Sequence, residues 1–145
     1  MAAWTDFPIF KLNQDTGATK IDFDSATIKV ILITNATSPV TLRNTADFIA
    51  DFTECAGGNY ARIDLAAFAV AQNGTSIEYK DTTTTVTWAA HASNPQDAYF
   101  ALIVEDTGVD ATSRVIAYAV LNGGSAVDTR NGYTLTTTSG IYFTR

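Results

Sequence analysis

The chain has little of what disulfide and metal chemistry require. Its 145 residues contain one cysteine, Cys55, and one histidine, His91. One cysteine excludes an internal disulfide, and together with one histidine it cannot supply the usual nitrogen and sulfur ligands of a zinc site. No nucleophile-elbow motif accompanies the histidine. We therefore expect Cys55 to be a buried structural thiol and His91 to lie in a loop or face solvent, with no metal or other cofactor.

Positive charge and long apolar runs are scarce too. Nine Lys and Arg residues stand against fifteen Asp and Glu residues, so the net charge is −6. Scattered cations on an acidic chain cannot neutralise a row of phosphates. No apolar run approaches membrane-spanning length, and the N-terminus does not resemble a signal peptide. We expect neither nucleic acid nor a membrane as a partner.

What the chain does contain is typical of a β-protein. Hydrophobic residues make up 46% of it, enough for the core of one domain. Threonine occurs twenty-three times, and branched side chains favour strands. Turn motifs such as Asn73-Gly74 and Asn131-Gly132 recur at short intervals. The predicted strands are 27–34, 60–69, 75–79, 83–89, 98–105, 115–121, 133–137 and 141–144.

This pattern predicts an all-β fold, an antiparallel β-sandwich of the jelly-roll or Ig-like kind. Two strands, 99–104 and 115–121, are nearly all apolar and should be central and buried on both faces. Residues 23–145 are predicted to form the single sandwich domain. One short helix or ordered loop is expected at 45–52, with Asn44 or Thr45 as its cap.

Residues 1–22 are predicted to form an N-terminal arm or edge strand. Its large apolar residues follow no regular period, and exposed apolar segments often mark contacts between proteins. We expect the arm to reach a neighbouring subunit, and deletion of residues 1–12 to leave the domain folded but to abolish assembly. The interface residues predicted on it are Trp4, Phe7, Ile9, Phe10 and Leu12.

The one motif that points to catalysis is Asp106-Thr107-Gly108, which follows an apolar strand. It resembles the active-site loop of retroviral-type aspartic proteases, in which two such loops share one proton between two aspartates. A second Asp-Thr-Gly begins at Asp15, without the apolar strand. Glu105 departs from the apolar residue of that family, and Asp-x-Gly is common turn chemistry. We expect a turn and no catalytic residue, and hence no enzyme.

Two binding activities remain open alternatives. Acidic pairs, Asp106 with Asp110 and Asp22 with Asp24, offer oxygen ligands for calcium, although neither has an EF-hand spacing. Aromatic rings can stack on pyranose sugars, but most strand aromatics belong to the core. The aromatic candidates for such a carbohydrate site are Trp4, Tyr60, Tyr79, Trp88 and Tyr133.

Several soft motifs from residue 23 onward occur together. They are Phe23-Asp24-x-x-Thr27-Ile28-Lys29-Val30, Gly57-Gly58-x-Tyr60 and Val86-Thr87-Trp88-Ala89. Two apolar strands, 100–105 and 115–118, and a final Gly-Ile-Tyr-Phe follow them. In this combination the chain resembles a family of small structural proteins from tailed bacteriophages.

The resemblance implies a β-sandwich component of the virion head or tail. The leading prediction is a non-enzymatic capsid decoration or cement protein that binds the outer head shell. Its expected partners are the major capsid protein or other virion proteins, with further copies of itself in a homo-oligomer. The alternative is a tail- or fibre-associated module that binds a host surface carbohydrate.

Overall fold

A computed structural model describes residues 2–16, 20–23, 25–65, 69–74, 76–81, 85–137 and 141–144. Strands dominate it, joined by two helices and short turns of 3-10 helix. The helices are α1 (Pro8–Thr16) and α2 (Pro39–Leu42), and the 3-10 turns are Ile49–Asp51, Asn122–Gly124 and Thr129–Asn131. The strands are β1 (Thr5–Asp6), β2 (Ile28–Ile33), β3 (Ile63–Asp64), β4 (Ala69–Asn73), β5 (Ser76–Asp81), β6 (Thr85–Trp88), β7 (Phe100–Glu105), β8 (Val115–Val120), β9 (Tyr133–Thr136) and β10 (Ile141–Thr144).

The largest sheet has five strands in the order β1-β8-β7-β2-β3, and every pair is antiparallel. Its three central strands are β2, β7 and β8. From Phe100 to Val104 every side chain of β7 is buried, and β8 is buried from Val115 to Ala119. Consecutive buried residues mean that both faces of a strand are covered. The prediction that these two strands are central is confirmed.

A two-stranded antiparallel sheet, β6 with β9, contributes to the same core. Val86, Trp88 and Leu135 point inward and belong to one cluster of buried residues with the central strands. The Trp88 indole N–H donates to the carbonyl of Ala61 at 3.0 Å, which fixes this sheet against the segment before β3. The predicted all-β, antiparallel fold is therefore confirmed.

The five-stranded and two-stranded sheets with their shared core form the body of the protein, and the N-terminal arm is docked on it. Strand β1 pairs with the β8 edge of the large sheet, and α1 follows at once. Pro8 starts the helix, where its fixed φ is favourable and its missing N–H is not needed. On the inner face of α1, the Gln14 side chain accepts the Ile21 N–H at 2.6 Å and donates to the Ile21 carbonyl at 3.3 Å. The arm thus contains both the predicted edge strand and a helix that was not predicted.

The segment 45–52 is not an α-helix. The Asp51 carboxylate accepts the N–H groups of Asp47 and Phe48, both at 3.0 Å. Phe48 is extended and bridges Arg114, and the Ile49 N–H donates to the Ser113 carbonyl at 2.9 Å. Because these amides have partners outside a helix, only one 3-10 turn forms, and neither predicted cap residue begins it. Of the two predicted forms, the ordered loop is the one observed.

Gly57 is required by a close approach of two backbones. A Cβ built there would lie 2.4 Å from the Ser93 carbonyl oxygen and 2.9 Å from Pro95 Cδ. The neighbouring Gly58 N–H donates to the same Ser93 carbonyl at 2.8 Å. The glycine pair in the second of the soft motifs therefore joins the 57–60 turn to the 91–95 turn.

Candidate functional site

The Asp-Thr-Gly motif forms a tight turn between β7 and β8. The Asp106 carboxylate accepts the Gly108 N–H at 3.0 Å, and the Thr107 N–H donates to the Ser113 hydroxyl at 3.0 Å. Gly108 has φ +83, a conformation that favours glycine. These contacts are the ordinary hydrogen bonds of an Asp-x-Gly turn, and they support the interpretation of the motif as a turn.

Two cations hold the Asp106 carboxylate. Arg62 Nη1 lies 3.2 Å from Oδ1, and Lys29 Nζ lies 3.4 Å from Oδ2. Burial by itself raises the pKa of Asp106, but the Gly108 hydrogen bond and the Arg62 charge outweigh it and bring the pKa below the ordinary value. An aspartic-protease pair must retain a proton, whereas this environment favours the ionised form. The side chain of Asp15 in the second motif lies outside the described residues.

Arg62 is the centre of a wider ion network. Its Nη2 lies 2.6 Å from Glu54 Oε2 and 2.7 Å from Asp110 Oδ1, in addition to the contact with Asp106. Tyr60 donates its hydroxyl proton to Glu54 Oε1 at 2.9 Å and accepts the Leu32 N–H at 2.8 Å. Burial raises the pKa of Tyr60. The network joins segments far apart in sequence, so its evident role is structural.

The calcium alternative gains no support from this geometry. Asp106 and Asp110 both face the Arg62 guanidinium, which occupies the place a cation would take. Asp24 of the other acidic pair lies outside the described residues. In the part of the chain that the structure describes, no three His, Cys, Asp or Glu side chains gather as metal ligands would.

Cys55 and His91 lie where the sequence placed them. Cys55 is 3% exposed, and burial, with smaller contributions from Asp97 and Glu54, raises the pKa of its thiol to about 12. Such a thiol is a poor nucleophile at neutral pH. His91 is exposed in a turn, and its Nδ1 accepts the Ser93 N–H at 3.2 Å. Both predictions are confirmed.

The predicted interface residues of the arm are not all on the surface. Phe7 is fully buried, edge-on to Phe52 at 5.9 Å and to Tyr118 at 5.6 Å between ring centroids. Phe10 is 4% exposed and packs edge-on against Phe23. Both rings fill the chain's own core, so the packing argues against the expectation that the arm is dispensable for folding, which stays untested.

The other three arm residues are more accessible or undescribed. Leu12 is 54% exposed and remains available to a partner, while Trp4 is partly buried. The side chain of Ile9 lies outside the described part of the structure. Contact of the arm with a neighbouring subunit stays a prediction, now limited chiefly to Leu12.

A third sheet was not predicted as a separate unit. It has the order β10-β5-β4, with both pairs antiparallel. Consecutive residues of β4, Ala69 to Gln72, are all exposed, and Val70 is 44% exposed. Because successive side chains point to opposite faces, both faces of β4 are at least partly open among the residues that the structure describes. Among the described strands, β4 and β10 are also the free edges of this sheet.

The aromatic candidates for a sugar site divide into two groups. The Tyr60 hydroxyl is hydrogen-bonded to Glu54. Trp88 is 3% exposed and stacks on Tyr133, with the ring centroids 6.2 Å apart. Trp4 is partly buried, and the Tyr79 side chain is outside the description. Tyr133 is half-buried and lines a cleft of about 620 Å³. Of the five, only Tyr133 is shown beside a cavity.

In comparisons with known proteins, no family model, no curated protein and no solved structure matches this chain. None of the described helices has the length and apolar character needed to cross a membrane. The class that the fold defines is an antiparallel all-β protein with a docked N-terminal arm and a further three-stranded sheet whose strand β4 is exposed from Ala69 to Gln72.

Proposed function

We propose that this chain is a non-enzymatic structural protein of a tailed-bacteriophage virion, and specifically a decoration or cement protein on the outer head shell. The resemblance in the soft motifs is the starting point. Those motifs lie at structural positions: Phe23 and Trp88 are buried, and Gly57 permits a close approach of two turns. They describe a scaffold, which agrees with a role in assembly.

The observation that carries the proposal is strand β4, whose residues Ala69 to Gln72 are exposed at one edge of the described sheet β10-β5-β4. A strand with both faces and one edge open leaves backbone donors and acceptors and a large area available to another protein. The exposed part of β4, Ala69 to Gln72, contains no charged residue and no proline, the usual devices that prevent association at an edge. A protein that binds a lattice through such a surface stabilises the lattice by mass action, because it binds the assembled form alone.

The titratable groups support a structural role as well. Arg62 pairs with three carboxylates, those of Glu54, Asp106 and Asp110. The carboxylates in and near the Asp-Thr-Gly motif therefore hold segments of the fold together. The major capsid protein, other virion proteins and further copies of this chain are the proposed partners, and the virion is the proposed location.

Immunogold labelling of purified virions tests the location. Gold spread over the head is the expected result. Gold confined to the tail contradicts the head assignment and favours a tail-associated module, while absence of label from every particle contradicts the virion assignment altogether.

A matched pair of variants tests the surface. We expect Val70→Lys, on the exposed β4, to reduce binding to capsids at least about tenfold, since a charged side chain would be desolvated at the contact. Val109→Lys is the control, because Val109 is 58% exposed but lies in the turn after β7. Equal capsid binding by both variants, measured by co-sedimentation, would exclude β4 from the interface.

A further inference from the structure

We propose that the cleft beside Tyr133 is a binding site for a neutral saccharide. The cleft lies where the end of β8, the 122–128 loop, β9 and the N-terminal Ala2 meet. Its volume of about 620 Å³ is within the range of small-ligand sites in proteins. The inference does not depend on where in a virion the protein is located.

The walls of the cleft are fixed from both sides. The Leu121 N–H donates to the Tyr99 carbonyl at 2.9 Å, and Val127 and Ala98 exchange backbone hydrogen bonds. The Ala2 N–H donates to the Thr136 carbonyl at 3.1 Å on the opposite side. A site held in this way loses little conformational entropy when a ligand enters.

The loop between these anchors has an unusual backbone. Asn122 has φ 43, the one positive value at a non-glycine residue among the described residues, and Gly123 and Gly124 are also positive. A non-glycine residue in this region costs free energy, and such residues concentrate at functional sites. Asn122 is among the residues that line the cleft, and its amide can both donate and accept hydrogen bonds.

The aromatic surface of the cleft is Tyr133. Trp88 stacks on the ring with an interplanar angle of 21°, and it supports the ring from the core side. The electron-rich face of an aromatic ring attracts the weakly positive C–H groups of a sugar ring. Thr134 and Thr136 also line the cleft, and the Thr134 hydroxyl is hydrogen-bonded to that of Thr87 at 3.0 Å.

Charge decides between neutral and acidic sugars. Asp128 is the charged residue of the lining, and Arg130 already pairs with it through two contacts, Nε to Oδ1 at 2.9 Å and Nη2 to Oδ2 at 2.5 Å. Among the described residues the lining therefore offers no uncompensated cation for a carboxylate, and the whole chain carries a net charge of −6. An anionic sugar would be repelled, whereas a neutral sugar would not.

The test is a titration of the full-length protein followed by amide chemical shifts in NMR spectra. The probes are glucose, galactose, mannose and N-acetylglucosamine at up to about 20 mM, enough to detect a Kd near 1 mM, with N-acetylneuraminic acid as the anionic probe. We expect at least one neutral sugar to give saturable shifts at residues 122–128 and 133–136. No saturable shift, shifts confined to other residues, or equal binding of the anionic probe would overturn the proposal.

Two variants connect binding with the cleft. Tyr133→Leu and Asn122→Gly should each weaken binding about tenfold, and Val109→Ala, in the turn between β7 and β8, is the control. Glycine suits φ 43, so Asn122→Gly should fold at least as well as the wild type and keeps the test valid if Tyr133→Leu does not fold. Unchanged affinity in Asn122→Gly and in any folded Tyr133→Leu would refute the site.

Discussion

Strands β7 and β4 are both antiparallel members of three-or-more-stranded sheets, yet their surroundings are opposite. From Phe100 to Val104, β7 is buried on both faces, with strands on either side of it. From Ala69 to Gln72, β4 is exposed on both faces and has one strand neighbour. The first arrangement stabilises the domain through apolar burial, while the second leaves a surface that is open among the residues the structure describes.

This difference in burial indicates which residues stabilise the fold and which are accessible to a binding partner. Residues in the body contribute the free energy of folding, so substitutions there should act on stability. Residues of β4 contribute little to the core, and substitutions there should act on association. The N-terminal arm belongs with the body in this comparison, because Phe7 and Phe10 are core residues.

The largest expected effect is in the arm. Phe7→Ala should lower the free energy of unfolding by about 3–5 kcal/mol, because a fully buried ring that contacts Phe52 and Tyr118 would be lost. Leu12→Ala is the control and should change it by less than about 0.5 kcal/mol, since Leu12 is 54% exposed. Urea denaturation measures both. A Phe7→Ala protein as stable as Leu12→Ala would show that the arm is not docked.

The next effect separates the two strands directly. Leu102→Ala, at a fully buried position of β7, should cost about 2–5 kcal/mol of unfolding free energy. Val70→Ala on β4 should cost less, about 1 kcal/mol or below, because Val70 is 44% exposed and the loss of its two methyl groups leaves no enclosed cavity. A comparable loss in the two variants, measured by urea denaturation, would place β4 in a packed environment and remove the distinction.

The smallest expected effect on stability concerns the ion network around Arg62, and it depends on pH. The pKa of Asp106 is lowered in the folded protein, so its contribution to stability is complete above its ordinary pKa near 3.8 and is lost as the pH falls through the folded value. Asp106→Asn should therefore destabilise by about 1–2 kcal/mol at pH 7, and the difference from wild type should shrink below about pH 4.

Asp64→Asn is the matched control for that pH experiment. Asp64 also contacts Lys29, at 3.5 Å, but its side chain is 69% exposed, and exposed pairs contribute little. Burial raises the pKa of Glu105, with Arg114 opposing it, and this acts on stability in the opposite direction. The difference between variant and wild type is thus the informative quantity. A difference for Asp106→Asn that does not change with pH would contradict the ion network.

Local sequence was a good guide wherever burial is complete. The predicted strands 27–34 and 115–121 differ from β2 and β8 by a single residue at the affected ends. Residues 60–69 were less well predicted. The alternation of apolar and polar residues in 60–65 indicated a strand over 60–69, whereas the structure has β3 at Ile63–Asp64 and β4 from Ala69, and residues 66–68 lie outside the description. Whether an alanine-rich strand is covered or exposed depends on its neighbours, and a periodicity argument cannot supply those.

The positions of helices were harder to predict, for a related reason. Residues 45–52 have helical spacing, but the Asp51 carboxylate and the 113–114 backbone take the amides a helix would use. In the arm, Phe10 and Gln14 share the inner face of α1, and a polar residue on that face conceals the apolar pattern. Pro8 was the available signal for the start of this helix.

The sequence alone determined the class of fold and the identity of the central strands, because a run of branched and aromatic side chains leaves water only by burial on both faces of a strand. Tertiary structure decided which distant residues meet. Arg62 joins Asp110, 48 positions away, and Ala2, Asn122 and Tyr133 come together at one cleft. These contacts between distant residues depend on strand order and on the path of the arm. The free energies that select strand order come from the packing of the whole chain, so no local stretch of sequence contains them.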